Sequence, residues 1–347
     1  MGLRTFAGAA LIAALAQTSS AEPLRIATFS PDLSRKGPGI LLRDLGRKDA
    51  QIEASISVIT ETRPDILLLT GFDWDHDGLA LQAFRDRLAK AGIVYPHSFA
   101  ARPNAGVPSG QDLDGDGRLG EAEDRQGFGR FTGQGGMAIL SRHPIGPVTD
   151  YSDRLWRDLT DNLMPESTPE TAAAQRLSSV AHWDAVVSVA GRDLHLLAIS
   201  ASPPVFDGPE DRNGRRNHDE LAFWLDHLPD APFVLAGKLN IDLSDSEGRP
   251  EALTRILPHV TDTHPSSEGG AAARELGVNA TQKGDPALDT ADWPDDKPPG
   301  NLRVDYVLPS KAMNVIDSGV FWPASGDLVK VAETASSHRL VWVDLDW

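Results

Sequence analysis

Eight short apolar runs punctuate the chain: Leu24–Phe29, Asp65–Thr70, Gly136–Ser141, Ala185–Ala190, Leu194–Ser200, Phe233–Ala236, Arg303–Leu308 and Arg339–Leu345. Each is four to seven residues long, the length of a buried strand rather than a helix. Three other stretches repeat apolar residues at helical spacing. Asp49 to Thr62 does so through Ile52, Ile56 and Ile59 and stops before Pro64; Leu79 to Ala91 and Arg216 to His227 follow the same period. Strands and helices alternate irregularly. That order favours two sheets with outer helices over a regular βαβ repeat. Two long segments, 101–135 and 258–300, are rich in Gly, Asp and Pro and read as loops. Strands continue beyond the second, so it interrupts a domain rather than dividing two. Loops of that length are usually functional or disordered. No internal repeat is present.

Composition and the N-terminus sharpen the picture. Arg4 precedes a short apolar run, Phe6 to Ala16, and Gln17-Thr18-Ser19-Ser20-Ala21 supplies small residues at the last and third-last positions. This is the pattern of a cleavable signal peptide over residues 1–21. The run of eleven residues falls short of the roughly 20 needed to cross a bilayer, and no Cys follows it to carry a lipid. A secreted or periplasmic protein without a membrane span is expected, with residues 22–347 as a single domain. Removing Arg4 takes the net charge from −17 to −18, which opposes loose binding to nucleic acid. A sequence without Cys has no disulfide framework, so the core must hold alone. Oligomeric state is left open.

Asp112 to Glu123 fits a twelve-residue calcium loop. Asp112, Asp114 and Asp116 fall at positions 1, 3 and 5, Gly117 at 6, Arg118 at the backbone-carbonyl position 7, and Glu123 at 12. The flanks are not amphipathic helices, which argues against a calmodulin-type switch. Either a structural Ca²⁺ or a solvated acidic loop is consistent with the pattern.

Polar residues at strand ends come in a distinctive order: Arg25-Ile26-Ala27-Thr28-Phe29-Ser30, Leu69-Thr70-Gly71-Phe72-Asp73, Gly136 to Ser141, Ala236-Gly237-Lys238-Leu239-Asn240, Arg303-Val304-Asp305-Tyr306 and Ser336-Ser337-His338. With the Val107-Pro108-Ser109-Gly110 loop and the run Phe206 to His218, the chain resembles the endonuclease/exonuclease/phosphatase superfamily, and within it the secreted bacterial branch, over residues 24–346. The resemblance implies a four-layer α/β/β/α sandwich of two mixed sheets with outer helices. It also implies Mg²⁺-dependent phosphoester hydrolysis, with carboxylates holding the metal and placing water, and a His–Asp pair stabilising the phosphorane-like charge.

Measured against that family pattern, this chain departs at several catalytic positions. Ser30 matches the family's Asn, Gly71 its metal-binding Glu, Lys238 an Asp, Ser200 a His, and Ser337 the Asp before the final His; Asn240 and His338 are kept. Gly71 offers no ligand oxygen, an ammonium at 238 repels Mg²⁺, and without Asp at 337 His338 is expected to lack an orienting carboxylate. The reading is a degenerate phosphoesterase fold in which Lys238, His338, Asn240 and Arg215 hold a phosphate-containing or other anionic small molecule. A plain dead site, with Lys238 ion-paired to Asp73 or Asp305, is the bland counterpart. Two alternatives stay open. One is an active phosphodiesterase or phosphomonoesterase holding Mg²⁺ through displaced carboxylates such as Asp73, Asp75 or Asp242. The other is a calcium-stabilised extracellular interaction module. Arg212, Arg215, Arg216 and His218 open a helix and read as its solvated face, and His195 as a satisfied core histidine. The sequence has no Gly-x-Ser-x-Gly elbow, Walker loop or zinc motif.

Overall fold

The computed structural model describes Gly2 and residues 23–347; the expected signal peptide lies outside the described residues. In chain order the elements are β1 (Leu24–Phe29), α1 (Ile40–Leu45), α2 (Ala50–Thr62), β2 (Ile66–Phe72), α3 (Leu79–Lys90), β3 (His97–Phe99), β4 (Gly136–Ser141), β5 (Ile145–Asp150), α4 (Pro169–Ala174), β6 (His182–Val189) and β7 (Arg192–Ser200). There follow α5 (Arg212–Leu225), β8 (Phe233–Lys238), α6 (Glu251–Ile256), α7 (Glu268–Ala272), β9 (Asp305–Pro309), β10 (Asn314–Val320), α8 (Asp327–Ala335) and β11 (Val341–Asp346). No helix among the described residues is long and apolar enough to cross a membrane.

Local chemistry sets the boundaries. The Asp49 carboxylate accepts the Ile52 N–H at 3.0 Å and caps α2. Arg63, left-handed at φ 50°, closes the same helix through Ile59 O, and Pro64 prevents its continuation. Ile52, Ile56 and Ile59 are all buried.

The strands form two sheets, ordered β10-β11-β1-β2-β4-β3 and β5-β6-β7-β8-β9. β1 runs parallel to β2 and β7 to β8; the other pairs are antiparallel. Period-two alternation splits each strand between two cores. Ile26, Leu68, Ile139 and Val343 meet Trp183, Leu196, Val234 and Val307 between the sheets. The outer face of the first sheet places Leu67 and Leu69 against Ile52, Ile59 and Phe84. The second places Leu197 and Leu235 against Leu221, Trp224 and Leu253. Each such side chain, once buried, contributes about 1.5–3 kcal/mol. The expected α/β/β/α layering holds.

Segment 101–135 carries no helix or strand, as expected of a loop, and isolated bridges pair Ala105 with Gly127 and Pro108 with Arg125. A Cβ on Gly127 would lie 1.8 Å from Ser179 O, so only glycine fits there. Segment 258–300 contains α7 and a short bridge through Ala291 to both Leu302 and His338. Strands β3, β5 and β10 escaped the apolar pattern because none is deeply buried along its length.

Candidate functional site

The alternation that fills the inter-sheet core also delivers polar groups at one end of it. Ala198, Ala236 and Val307 face between the sheets; two residues further along the same faces stand Ser200, Lys238 and Asp305. These three are direct neighbours, with Ser200 paired to Lys238 and Lys238 to Asp305. Across the cleft, Ser30 follows β1 on the parity of Ile26. Gly71 lies at a register shift in β2, with φ 64°. A Cβ at Gly71 would lie 3.1 Å from Ser30 Oγ, so these two positions are adjacent as well.

His338, just ahead of β11, closes the end of the cleft. Its Nδ1 donates to Asp305 Oδ2 at 2.7 Å, and both side chains are buried. This corrects the expectation that Ser337 in place of Asp leaves His338 without an orienting carboxylate. The carboxylate comes from β9 instead and ties one sheet to the other. Ser337 does other work: its N–H and Oγ–H both donate to Asp32 Oδ2 at 3.0 Å, beside Ser336 Oγ at 2.9 Å. Thr290 donates to Asp305 Oδ2 at 3.3 Å, and Trp293 stands edge-on to the His338 ring at 5.8 Å between centroids. Asp305 Oδ1 is buried without a hydrogen-bond partner. Asp32, Thr290 and Trp293 were not anticipated; the last two sit in a Gly/Ala/Asp/Pro-rich stretch with no local periodicity to flag them.

Other anticipated residues serve the framework. Asn240, left-handed at φ 54°, donates through Nδ2 to Ala201 O at 2.7 Å. Arg215 donates to the carbonyls of Glu210 and Leu163. Asp73 accepts from Arg35 N and Gly135 N, and burial raises its pKa above the ordinary carboxylate value. Asp75 accepts from Leu79 N and Ala80 N, and Asp242 from Ser244, Asp245 and Arg303 N. Neither Asp73 nor Asp305 forms an ion pair with Lys238 among the described residues. His195, on the outer face of the second sheet, is half-buried and paired with Asp184 at 2.8 Å.

Helix α5 braces the cleft from behind, so its polar residues form a buried frame rather than a solvated face. Glu220 accepts from Ser179 N and Ser202 N, each at 2.6 Å, and burial raises its pKa. Asn217 donates to Ser202 O and Leu239 O, the two strand exits either side of the site. Arg216 donates to the carbonyls of Leu177, Arg176 and Ser178, and burial lowers its pKa to about 10. His182 donates to Glu220 O at 2.9 Å, and burial lowers its pKa to about 4.

In the acidic loop, ligand oxygens of Asp112, Asp114 and Asp116 lie within 4.8 Å of one another, the one such group of three acidic or histidine residues among the described residues. Asx turns to Gly115, Gly117, Asp116 and Arg118 shape it. Glu123 is exposed and stands outside the trio. The neighbouring Asp124 folds inward instead, accepting from Leu113 N and Gly120 N. Arg118 reaches to 3.7 Å from Asp116 Oδ2. Arg212 at the start of α5 donates to the carbonyl of Leu113. A separate depression of about 260 Å³ is lined by Trp74, Asp75, His76, Asp77, Gln82 and Arg85, without Lys238, Asp305 or His338.

Residues 37–338 match the model of the Endonuclease/Exonuclease/phosphatase family. An endonuclease/exonuclease/phosphatase from Beutenbergia cavernae DSM 12333 superimposes with a TM-score of 0.58 at 21% identity, over 94% of this chain and 72% of that one. A family protein from Leptotrichia buccalis C-1013-b gives 0.52 at 16% identity, over 93% of this chain and 100% of that one. At such identities these two likenesses speak to the fold. No curated protein sequence matches the chain.

Proposed function

Because this chain belongs to the endonuclease/exonuclease/phosphatase family, we propose that it is an exported member whose cleft binds a phosphate-type anion without metal rather than hydrolysing an ester. One observation supports this reading above others: Lys238, on the inner-face parity of Ala236, is paired in register with Ser200 and with Asp305, the partner of His338. An ammonium there supplies a fixed positive charge where the family's resemblance leads one to expect a carboxylate and a metal. His338, when protonated, adds a charge-assisted N–H from Nε2. The residues at the cleft do not fit a divalent ion. Gly71 brings no oxygen, and among the described residues no three acidic or histidine ligand atoms converge there. With the net charge at −17, a compact anion suits the protein better than an extended nucleic acid.

The His338–Asp305 pair also favours a second reading, since it is the group that would stabilise a phosphorane-like charge. In that reading the protein is an active phosphodiesterase or phosphomonoesterase. An aryl phosphodiester assayed with and without Mg²⁺ separates the two: no turnover under either condition agrees with the binding reading. Metal-dependent turnover abolished in His338→Ala would overturn it.

The Asp112, Asp114 and Asp116 carboxylates supply hard oxygen donors of the kind Ca²⁺ takes, with the Arg118 carbonyl as a further ligand. We place a weak structural Ca²⁺ there. Glu123 is left out of that ligand set.

A further inference from the structure

Segment 258–300 touches the candidate dyad through Thr290. Thr290 is fully buried. Its Oγ1 accepts the backbone N–H groups of Val304 and Asp305, both at 2.9 Å. A hydroxyl has two lone pairs and one proton. With both lone pairs engaged, the proton turns to Asp305 Oδ2 at 3.3 Å. That oxygen also receives the Nδ1–H of His338 at 2.7 Å. The carbonyl of Thr290 accepts the N–H of Arg339, the residue after His338, at 2.7 Å. Thr290 is therefore bonded to Asp305 directly and to the residue after His338 through its carbonyl.

We propose that Thr290 is the positioning residue of the cleft. By holding Asp305 at Oδ2, it keeps the Nδ1–H of His338 bonded to that carboxylate, so that Nε2 faces the ligand and donates to it once the ring is protonated. It also keeps Asp305 from turning toward its cross-strand neighbour Lys238. Without Thr290 the carboxylate is free to pair with that ammonium, which would take the charge from both anion contacts at once. This rests on the reading of Lys238 and His338 as anion contacts.

The test uses the full chain and ring-nitrogen NMR of His338, with inorganic phosphate as the probe. At a pH where His338 is neutral, wild type is expected to show one tautomer, protonated at Nδ1. Thr290→Val is expected to show mixed tautomers and phosphate affinity weaker by about tenfold, the loss of one buried charge-assisted hydrogen bond. Thr290→Ser should restore the single tautomer and bring affinity back to within about twofold. Should Thr290→Val not fold, Thr290→Ala against Thr290→Ser gives the same comparison without an added methyl. An unchanged Nδ1 tautomer in the Val or Ala variant overturns the proposal, as does a Ser variant as impaired as they are. A wild-type protein that binds no phosphate, yet loses its single tautomer in Thr290→Val, refutes the anion reading and leaves the role of Thr290 standing.

Discussion

His338 Nδ1 and Asp305 Oδ2 lie 2.7 Å apart at the junction of the two sheets, with side chains 8% and 0% exposed. They come from opposite sheets, and their bond depends on both being in place. Asp305→Ala leaves the His338 Nδ1–H and the Thr290 hydroxyl facing an empty, dry site. Chemical denaturation should show a loss of about 2–4 kcal/mol. A variant as stable as wild type would mean that the pair is not formed.

His182 makes the fold sensitive to acid. Burial lowers its folded-state pKa to about 4 from 6.5, so the unfolded chain takes up a proton that the folded one refuses. Its contribution is fully present above pH 6.5 and is lost as pH falls toward 4, by roughly 3 kcal/mol in all. His182→Gln keeps an N–H for Glu220 O but does not titrate. The difference in unfolding free energy between the two proteins should change steadily from pH 6.5 to 4; parallel curves would contradict this.

Asp289 acts in the other direction. Burial, then Asp242, Asp245 and Asp285, raise its pKa to about 8 from 3.8, and its Oδ2 has no partner. The folded state holds this proton after the unfolded chain has released it. Stability is therefore lost as pH rises from about 4 through 8. Asp289→Asn should raise the melting temperature at pH 8 by several degrees more than at pH 4. An equal gain at both values would locate the effect elsewhere.

The acidic loop yields a prediction that separates its carboxylates. Millimolar Ca²⁺ should raise the melting temperature of wild type but not of Asp112→Ala. Glu123→Gln should respond like wild type, because that side chain stands outside the trio. A shift abolished by Glu123→Gln would restore the full twelve-residue ligand set, and no shift in wild type would remove the site.

Much of this was legible beforehand, for reasons tied to particular residues. Runs such as Ile66–Leu69 announced the sheets because both faces of those strands are buried. Asp49 and Pro64 bounded α2 because capping and ring closure act locally. The strand-end residues Ser200, Lys238 and Asp305 were found individually, but their adjacency depends on strand order and register, which no local signal carries. The same limit hid the partner of His338: residue 337 is its neighbour in sequence, and Asp305 its neighbour in space. Thr290 was invisible because its role lies in contacts to backbone N–H groups fourteen and fifteen residues away. The basic stretch of α5 reads as a solvated face because charge usually marks one. Here Arg216 instead serves carbonyls of the wall beside it.

Whether Lys238 binds an anion without metal is decided by calorimetric titration of inorganic phosphate in EDTA, comparing wild type with Lys238→Ala. Wild type should bind saturably, unweakened by EDTA, and the variant with affinity lower by about tenfold or more. Equal affinity in the two proteins, or binding that requires Mg²⁺, would contradict it.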